Sequence, residues 1–511
     1  MKHFLRIIFI SFFLIKQGIC QAPSILWERS FGGTDDDEAK SVFADSLGNI
    51  FVFGYTLSTD GNVSMPLGCS DFWLLKIDPN GNLLYNKSIG SNGCEEGYSG
   101  QPTFDNGFIL CGRASSNLLP GCHGWGIDVY IFKADSMGNM EWEYCYGSLG
   151  DEYGVKIKQT LDSGYVFLAK VTYNTGAVTG YYGSYDWWVN KIDKNGTSLW
   201  SRCLGGTGWD TPTSIVELSD RNILVTGSNG SSDGDVTCTS LDRTCRVVKL
   251  DSAGNFLWDR CYGGSTGSEM GYDIIESKNG GFYVAASTSS YDGDVIGHIA
   301  AVDIWVFEAD SSGTILWSNC YGGFSEEEPA SISKTSDGGL LISGRTTSQI
   351  NHSMPFDFFV IKTDSIGNLQ WQTNLGGNDW DEAFGAVETT DNNFVVAGFT
   401  KSNDFDVSFN HGRKDVWVVK LAAPVGIVDI SNLVSALNCS LNDGNLELSF
   451  STTKEEEVSI SLVDITGRNV FSKKVNSSKG FNQFQFQVIA SKSIYFLKIQ
   501  TKAGVITKKI F

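Results

Sequence analysis

From about residue 25 to residue 421, apolar and polar positions alternate in runs of seven or eight residues, each bounded by Gly, Asn or Asp. A period of two with turn residues at both ends predicts short β-strands joined by tight turns. The most regular piece is a turn followed by an aromatic: DPNGNLLY from Asp78, DSMGNMEW from Asp135, DKNGTSLW from Asp193, DSAGNFLW from Asp251, DSSGTILW from Asp310 and DSIGNLQW from Asp364. The copies are spaced by 57, 58, 58, 59 and 54 residues. A repeat of this length is a supersecondary unit that buries its faces against its neighbours.

Four strands fit each period: a run after an acidic residue (EAKSVFAD from Glu38), a Gly-flanked apolar run (NIFVFGYT, NILVTGS), a run such as DFWLLKID or DIWVFEAD, and an aromatic run ending in Gly (WDRCYGG). Four antiparallel strands make a propeller blade. The third strand occurs seven times, and its last copy ends at Leu421 with no fourth strand after it. The first copy of the fourth strand, ILWERSFGG, stands alone at residues 25–33. The two orphans complete one another, which predicts an all-β, seven-bladed β-propeller closed by its N-terminal strand, without exposed sheet edges. The blades are expected at about 38–90, 96–147, 152–206, 210–264, 269–323, 328–377 and 382–421 plus 25–33, spanning residues 21–423. A Trp after an Asp-x-x-Gly turn resembles WD-repeat and quinoprotein-type propellers. The adjacent cysteines of many quinone enzymes are absent.

After Leu421 the repeat stops, and residues 430–511 predict a small β-sandwich with alternating runs such as LELSFST, VSISLVDI and FNQFQFQVI. VDITGRNV from Val463, IYFLKI from Ile494 and the terminal TKKIF from Thr507 resemble the C-terminal sorting domain of the type IX secretion system found in Bacteroidetes. The resemblance implies the type IX machinery as a partner, passage across the outer membrane, and a secreted or cell-surface destination.

The N-terminus agrees with export. Lys2 and Arg6 precede the apolar run Ile7–Ile15, and Gly18 and Cys20 supply the small residues of a cleavage site, so residues 1–20 predict a signal peptide. Ile19 stands where a lipoprotein signal needs a small residue. No later apolar stretch is long enough to span a bilayer. With 41% hydrophobic and 19% charged residues, the 511-residue chain can bury large cores. Its net charge of −20 argues against nucleic acid as a partner. Twelve cysteines in an exported chain, an odd number once Cys20 is removed, predict disulfides and a leftover thiol.

In each unit the second-to-third and blade-to-blade connections are the long ones, and antiparallel geometry puts both on one face. Function belongs there. An acid precedes each first strand: Glu38, Glu96, Glu152, Asp210, Glu269, Glu328 and Glu382. Seven such carboxylates around a mouth could hold a hard cation such as calcium, or could each accept N–H bonds from the neighbouring Gly-Gly loop. Most Trp residues repeat with the blades and read as packing. Trp125, Trp209 and Trp380 fall in long loops instead, with Tyr181, Tyr182 and Tyr185, where they suit stacking on a glycan or a protein ligand. His123, His298, His352 and His411 each precede a third strand in a different unit, so they cannot converge on one metal. Cys238 and Cys245 flank one loop and are the expected disulfide. Cys145, Cys203, Cys261 and Cys320 share one repeat position and read as unbridged core residues.

The chain contains no nucleophile elbow, HExxH or P-loop. The expectation is a binding or scaffold module. The alternatives are a polysaccharide hydrolase or lyase acting in the funnel, and a structural or adhesive surface protein.

Overall fold

The computed structural model describes residues 22–423 apart from 117, 124–125, 174–177, 239–242 and 349–354, and residues 434–510 apart from 443–444, 453–454, 465–468, 489–494 and 502–503. The signal peptide, Trp125 and His352 lie outside the described residues. Among the described residues every regular element is a β-strand, except for one helical turn at Lys278–Gly280. The chain divides into two compact units, Met1–Ala422 and Ala423–Phe511.

The first unit contains seven four-stranded antiparallel sheets, numbered one to seven in chain order. Six use four consecutive strands. The seventh takes its fourth strand from the start of the chain: Ile25–Phe31 pairs with Asp415–Leu421, placing Phe31 opposite Val416 and Trp27 opposite Lys420. The first strands of the sheets are Asp37–Ala44, Cys94–Pro102, Glu152–Gln159, Thr211–Glu217, Glu269–Glu276, Glu327–Lys334 and Asp381–Glu388. Each packs against the first strand of the next sheet, and that of the seventh sheet packs against that of the first. The architecture is all-β and consistent with a β-propeller.

Burial explains the sequence pattern. Second and third strands, such as Ile50–Thr56 and Asp71–Ile77, are covered on both faces by adjacent sheets and therefore read as nearly continuous apolar runs. Every first strand carries an irregularity at the same point, for example between Ala39 and Ser41 and between Gly154 and Lys156. Such a bulge bends the strand and increases its twist. At Gly54 in the second strand an added Cβ would lie 1.8 Å from the carbonyl oxygen of Glu38, which explains the glycine of that run. Third-strand lysines bury their stems and reach an aspartate in the first turn of their own sheet, as in Lys191–Asp162 at 2.7 Å and Lys362–Asp337 at 2.9 Å.

The second unit has a three-stranded sheet (Val434–Asn442, Asn445–Thr452, Gly480–Gln487) and a four-stranded one (Asn469–Ser477, Glu456–Asp464, Tyr495–Thr501, Gly504–Ile510). Leu446, Leu448 and Phe450 of the first sheet share one core with Val458, Ile460, Leu462, Leu497 and Ile499 of the second.

Cysteine pairing differs from expectation. Cys238 is bonded to Cys261, and Cys245 is free. Successive side chains of a strand point to opposite faces. On Thr244–Leu250, Cys245 turns into the core shared with the fifth sheet, 3.9 Å from Thr226 Oγ1, while Cys261 stands opposite its neighbour Arg246. Cys122–Cys145 repeats the same link in the second sheet, and Cys69–Cys94 ties the loop before the first sheet's third strand to the first strand of the second sheet. Cys145 and Cys261 are thus bridged, contrary to expectation, whereas Cys203 and Cys320 are free. The residue six places before the third strand decides this: it is Cys122 or Cys238 in the bridged sheets, and Gly180 or Gly297 above the free thiols.

Candidate functional site

The ends of the second and fourth strands and the starts of the first and third meet at one end of the first unit. The Asp37 N–H donates to the Lys414 carbonyl, Asp210 to Tyr185, and Asp381 to Phe356. This end carries the long connections, and the expected acids lie here in two sets.

The repeat position at the start of the first strands is Asp37, Glu95, Glu152, Asp210, Glu269, Glu327 and Asp381, all buried. These acids cap the Gly-Gly or Gly-Ser loops that precede them, as Glu95 does for Ser91 and Glu152 for Ser148. Asp210 accepts N–H bonds from Gly206 and Gly230, both at 2.9 Å, and Asp381 accepts one from Gly377 at 2.8 Å. Glu152, Asp210 and Glu269 of the expected ring belong to this set. Glu38, Glu96, Glu328 and Glu382 stand one residue later, on the opposite face of the strand. Adjacent acids in DDDE, CEE, EEE and DE make the two positions hard to separate by sequence.

Those four acids face the inner side, and each meets a cation. Glu38 pairs with Lys40 at 2.6 Å and with Lys414; Glu96 pairs with Arg113 at 2.5 Å. Arg345 joins Glu328 at 2.5 Å and Glu382 at 3.3 Å. Among the described residues no three His, Cys, Asp or Glu side chains come together as a metal cluster. Four aspartates of DGN, DGD and DFD motifs in the long loops, which could offer paired oxygens, are also engaged: Asp60, Asp233, Asp292 and Asp404 hold the backbone N–H groups of Thr34, Thr207, Ser265 and Asn378 at 2.7–2.9 Å.

The cations in turn lie against aromatic rings and build two ladders. Arg113 lies 5.9 Å from the Tyr153 ring, Lys170 lies 4.7 Å from Tyr153 and 4.6 Å from Tyr185, and Tyr185 meets Trp209 edge-on at 5.2 Å. On the sixth and seventh sheets Arg345 lies 4.3 Å from Phe356, Phe356 meets Trp380 edge-on at 5.8 Å, and Lys401 lies 5.2 Å from Trp380. Tyr185 and Phe356 occupy one repeat position, as do Trp209 and Trp380. The indoles remain 56% and 44% exposed. Tyr182 is exposed nearby, whereas Tyr181 packs on the third-sheet core and donates its hydroxyl to the Ser184 carbonyl.

Burial, with Glu96 beside Tyr98 and Glu328 beside Tyr272, pushes both inner-side phenols above their ordinary range. They hold their protons at neutral pH.

Deeper along the first strands, a position the sequence analysis passed over carries Ser41, Ser99, Lys156, Ser214, Asp273, Ser331 and Gly385. Ser41 and Ser99 accept N–H bonds from the next sheet at Gly100 and Ile157. Asp273 does the same for Ile332 at 3.1 Å, takes the Ser214 hydroxyl at 2.6 Å, and pairs with Lys156 at 3.3 Å. Burial and the adjacent Lys156 bring Lys158 down to about 8. Aligning the seven bulges, rather than the strand starts, would have exposed this break in the repeat.

The histidines stay apart: His123 Nδ1 lies 2.8 Å from Asp128 and His411 Nδ1 lies 2.6 Å from Asp415, each on the acid opening its own third strand. In the fourth sheet, where Thr244 replaces that acid, Arg246 is fully buried between Asp259 at 3.2 Å and Asp235 at 3.0 Å.

Residues 442–511 match the family described as the secretion system C-terminal sorting domain. No curated protein matches the chain. Among solved structures, the chain is similar to a protein of unknown function from Dyadobacter fermentans (12% identity, TM-score 0.39, 78% of this chain and 99% of that one). It is also similar to a polysaccharide lyase of family PL25, an ulvan lyase (9%, TM-score 0.41, 77% and 96%), and to a Bombyx mori GH32 β-fructofuranosidase (11%, TM-score 0.27, 68% and 84%). Among the described residues no helix is long and apolar enough to cross a membrane. With its C-terminal sorting domain, the chain is a type IX export substrate whose destination is the cell surface or the exterior.

Proposed function

We propose that the first unit is a closed seven-bladed β-propeller, made in a Bacteroidetes cell behind a cleaved signal peptide of residues 1–20, and that its long-loop face binds glycan. The observation that carries this is the pair of exposed indoles, Trp209 and Trp380, each held edge-on by a ring that a cation backs, Tyr185 with Lys170 and Phe356 with Arg345. Rings fixed in this way lose little freedom when a sugar stacks on them. The ladders stand on different sheets, which suits an extended chain of sugars over a single residue.

The inner-side acids serve in this reading as ion-pair partners, the buried acids beside them as loop caps, and Tyr98 and Tyr272 as protonated hydrogen-bond donors. A raised phenol favours binding over the proton abstraction of a lyase.

A glycan array probed with residues 21–511, followed by calorimetry on the best polysaccharide, tests the reading. Trp209→Ala and Trp380→Ala should each weaken binding about tenfold or more, the loss of roughly 1.4 kcal/mol or more expected of a stacking anchor. Undiminished binding in both variants refutes it.

A further inference from the structure

The sixth sheet breaks the repeat at one place, and a cavity stands there. In sheets one, four, five and seven the connection between second and third strands holds Asp-x-Asn/Asp-Val, ending at Val63, Val236, Val295 and Val407. The last three of these valines are buried. The first Asp of each motif clamps the residue that follows the paired glycines, and that residue is always small and polar: Thr34, Thr207, Ser265 or Asn378. The residue after the valine reaches the fourth strand in three of these sheets, pairing Ser64 with Asn86, Thr237 with Asp259 and Ser408 with Glu28.

In the sixth sheet the connection from Thr346 to Asp357 has ten residues, where the other six have twelve or fourteen, and its sequence holds no such motif. The residue after the paired glycines is Phe324, 90% exposed. Gln372 occupies the fourth-strand position of Asn86, Asp259 and Glu28, opposite Ile361. Around these changes lies a cavity of about 820 Å³ that Phe324, Phe405, Asp357, Asp406, Gln372 and Asn374 help to line. Its size falls in the range of small-molecule sites.

The lining selects a ligand class. It contains no basic side chain among the described residues, so nothing in it recognises an anion. Carboxylate, amide and hydroxyl groups converge from the ends of four strands, and they suit a ligand rich in hydroxyl donors. Phe405 stands where the other motifs carry Gly61, Gly234 or Gly293, and it is 64% exposed. Two exposed rings over a polar floor suit a flat, partly apolar ring. We infer that this cavity is a binding site for an uncharged pyranose, distinct from the Trp209 and Trp380 ladders and independent of what those ladders bind.

Saturation-transfer NMR of residues 21–511 with the methyl glycosides of glucose, galactose and mannose tests it. At least one should receive saturation and bind with a millimolar dissociation constant. Phe324→Ala, a change at an exposed side chain, should weaken binding about tenfold or more, Phe324→Tyr should retain it, and Gln372→Trp should abolish it by filling the cavity. Trp209→Ala and Trp380→Ala should leave it unchanged. Transfer to none of the three sugars overturns the proposal. Binding lost with the tryptophans but kept in Phe324→Ala overturns it equally, and assigns the sugar to the ladders.

Discussion

Lys156 Nζ lies 3.3 Å from Asp273 Oδ1, so the first strand of the third sheet is tied to that of the fifth, past Ser214 of the sheet between them. At this level the other sheets carry only serine or glycine, and Ser41 and Ser99 reach no further than the next sheet. Removing one partner of a largely buried pair leaves an uncompensated charge. Lys156→Met should therefore cost about 2 kcal/mol, reduced from the fully buried case because the lysine keeps some contact with water. The double variant Lys156→Met/Asp273→Leu should recover most of the loss. Lys156→Met should also raise the Lys158 pKa from about 8, and Asp273→Asn should lower it. Denaturant melts and NMR titration of methylated lysines check both; a double variant no better than the single ones contradicts the pairing argument.

Stability should fall as pH rises from 5 to 8. Burial, reinforced by the neighbouring Asp210 charge, pushes Asp186 up to about 7. Burial likewise raises Asp37 to about 6 against the bonds from Thr56, Gly33 and Ser58, and Asp381 to about 6. At Gly205 an added Cβ would lie 2.3 Å from Asp186 Oδ1 and 2.9 Å from Asp210 Oδ2, so both acids crowd one point of backbone. A carboxyl group raised in the folded state contributes stability fully below its unfolded pKa, and that contribution disappears as pH passes 6 to 7. Asp105 and Asp162, held down to about 2 by Lys133, Lys191 and neighbouring hydroxyls, act oppositely and lose their contribution as pH falls from about 4 toward 2. The melting temperature should peak near pH 4, and Asp186→Asn should flatten the decline on the alkaline side. A melting temperature that rises from pH 5 to 8 contradicts this assignment.

The strands were legible because each face of each strand obeys one rule. Buried second and third strands read as apolar runs, and Asp-x-x-Gly turns mark every hairpin between third and fourth strands. The orphan run at Ile25 and the orphan strand ending at Leu421 could be paired by counting alone, and they are paired. What the sequence hid were choices of one residue in register. Glu38 and Asp37 are both acids, yet one faces the inner side and the other a glycine loop. Cys245 is nearer to Cys238 along the chain than Cys261 is, but strand alternation turns it away. Trp209 and Trp380 were visible as loop aromatics, whereas their supports Lys170, Arg345 and Phe356 come from other strands and only folding brings them near.

Millimolar calcium should leave the melting temperature of residues 21–423 where EDTA leaves it. The expected ring is divided between capped loops and ion pairs, so no open set of oxygens is presented to a hard cation. A ligand that binds only the native state raises stability with the logarithm of its excess over the dissociation constant. A rise of several degrees in calcium would show a metal site and return those acids to ligand duty.

Deleting the sorting domain should separate folding from export. A chain ending at Ala423 keeps every strand of the seven sheets. It should melt like the first unit of the full chain while accumulating in the periplasm of a type IX-secreting host. Surface display of the shortened chain contradicts the assignment of residues 442–511 as the export signal.

Gly180→Cys should create a fourth disulfide. The Cβ position at Gly180 lies 3.9 Å from the Cys203 Cβ, within the 3.5–4.5 Å that a bridge requires. The new bond would repeat Cys122–Cys145 and Cys238–Cys261, each of which closes 23 residues. Gly180 has φ of +81°, so a side chain there costs about 1–2 kcal/mol. A loop of this length gains about 3 kcal/mol from closure. The balance is a net gain of about 1–2 kcal/mol when oxidised and a net loss of similar size when reduced. Peptide mapping should find residues 180 and 203 linked, and melts with and without reductant should show the change of sign. A variant that keeps both thiols free would mean that the Gly180 turn does not approach Cys203 in solution. Cys203 would then be unbridged for a reason other than its missing partner.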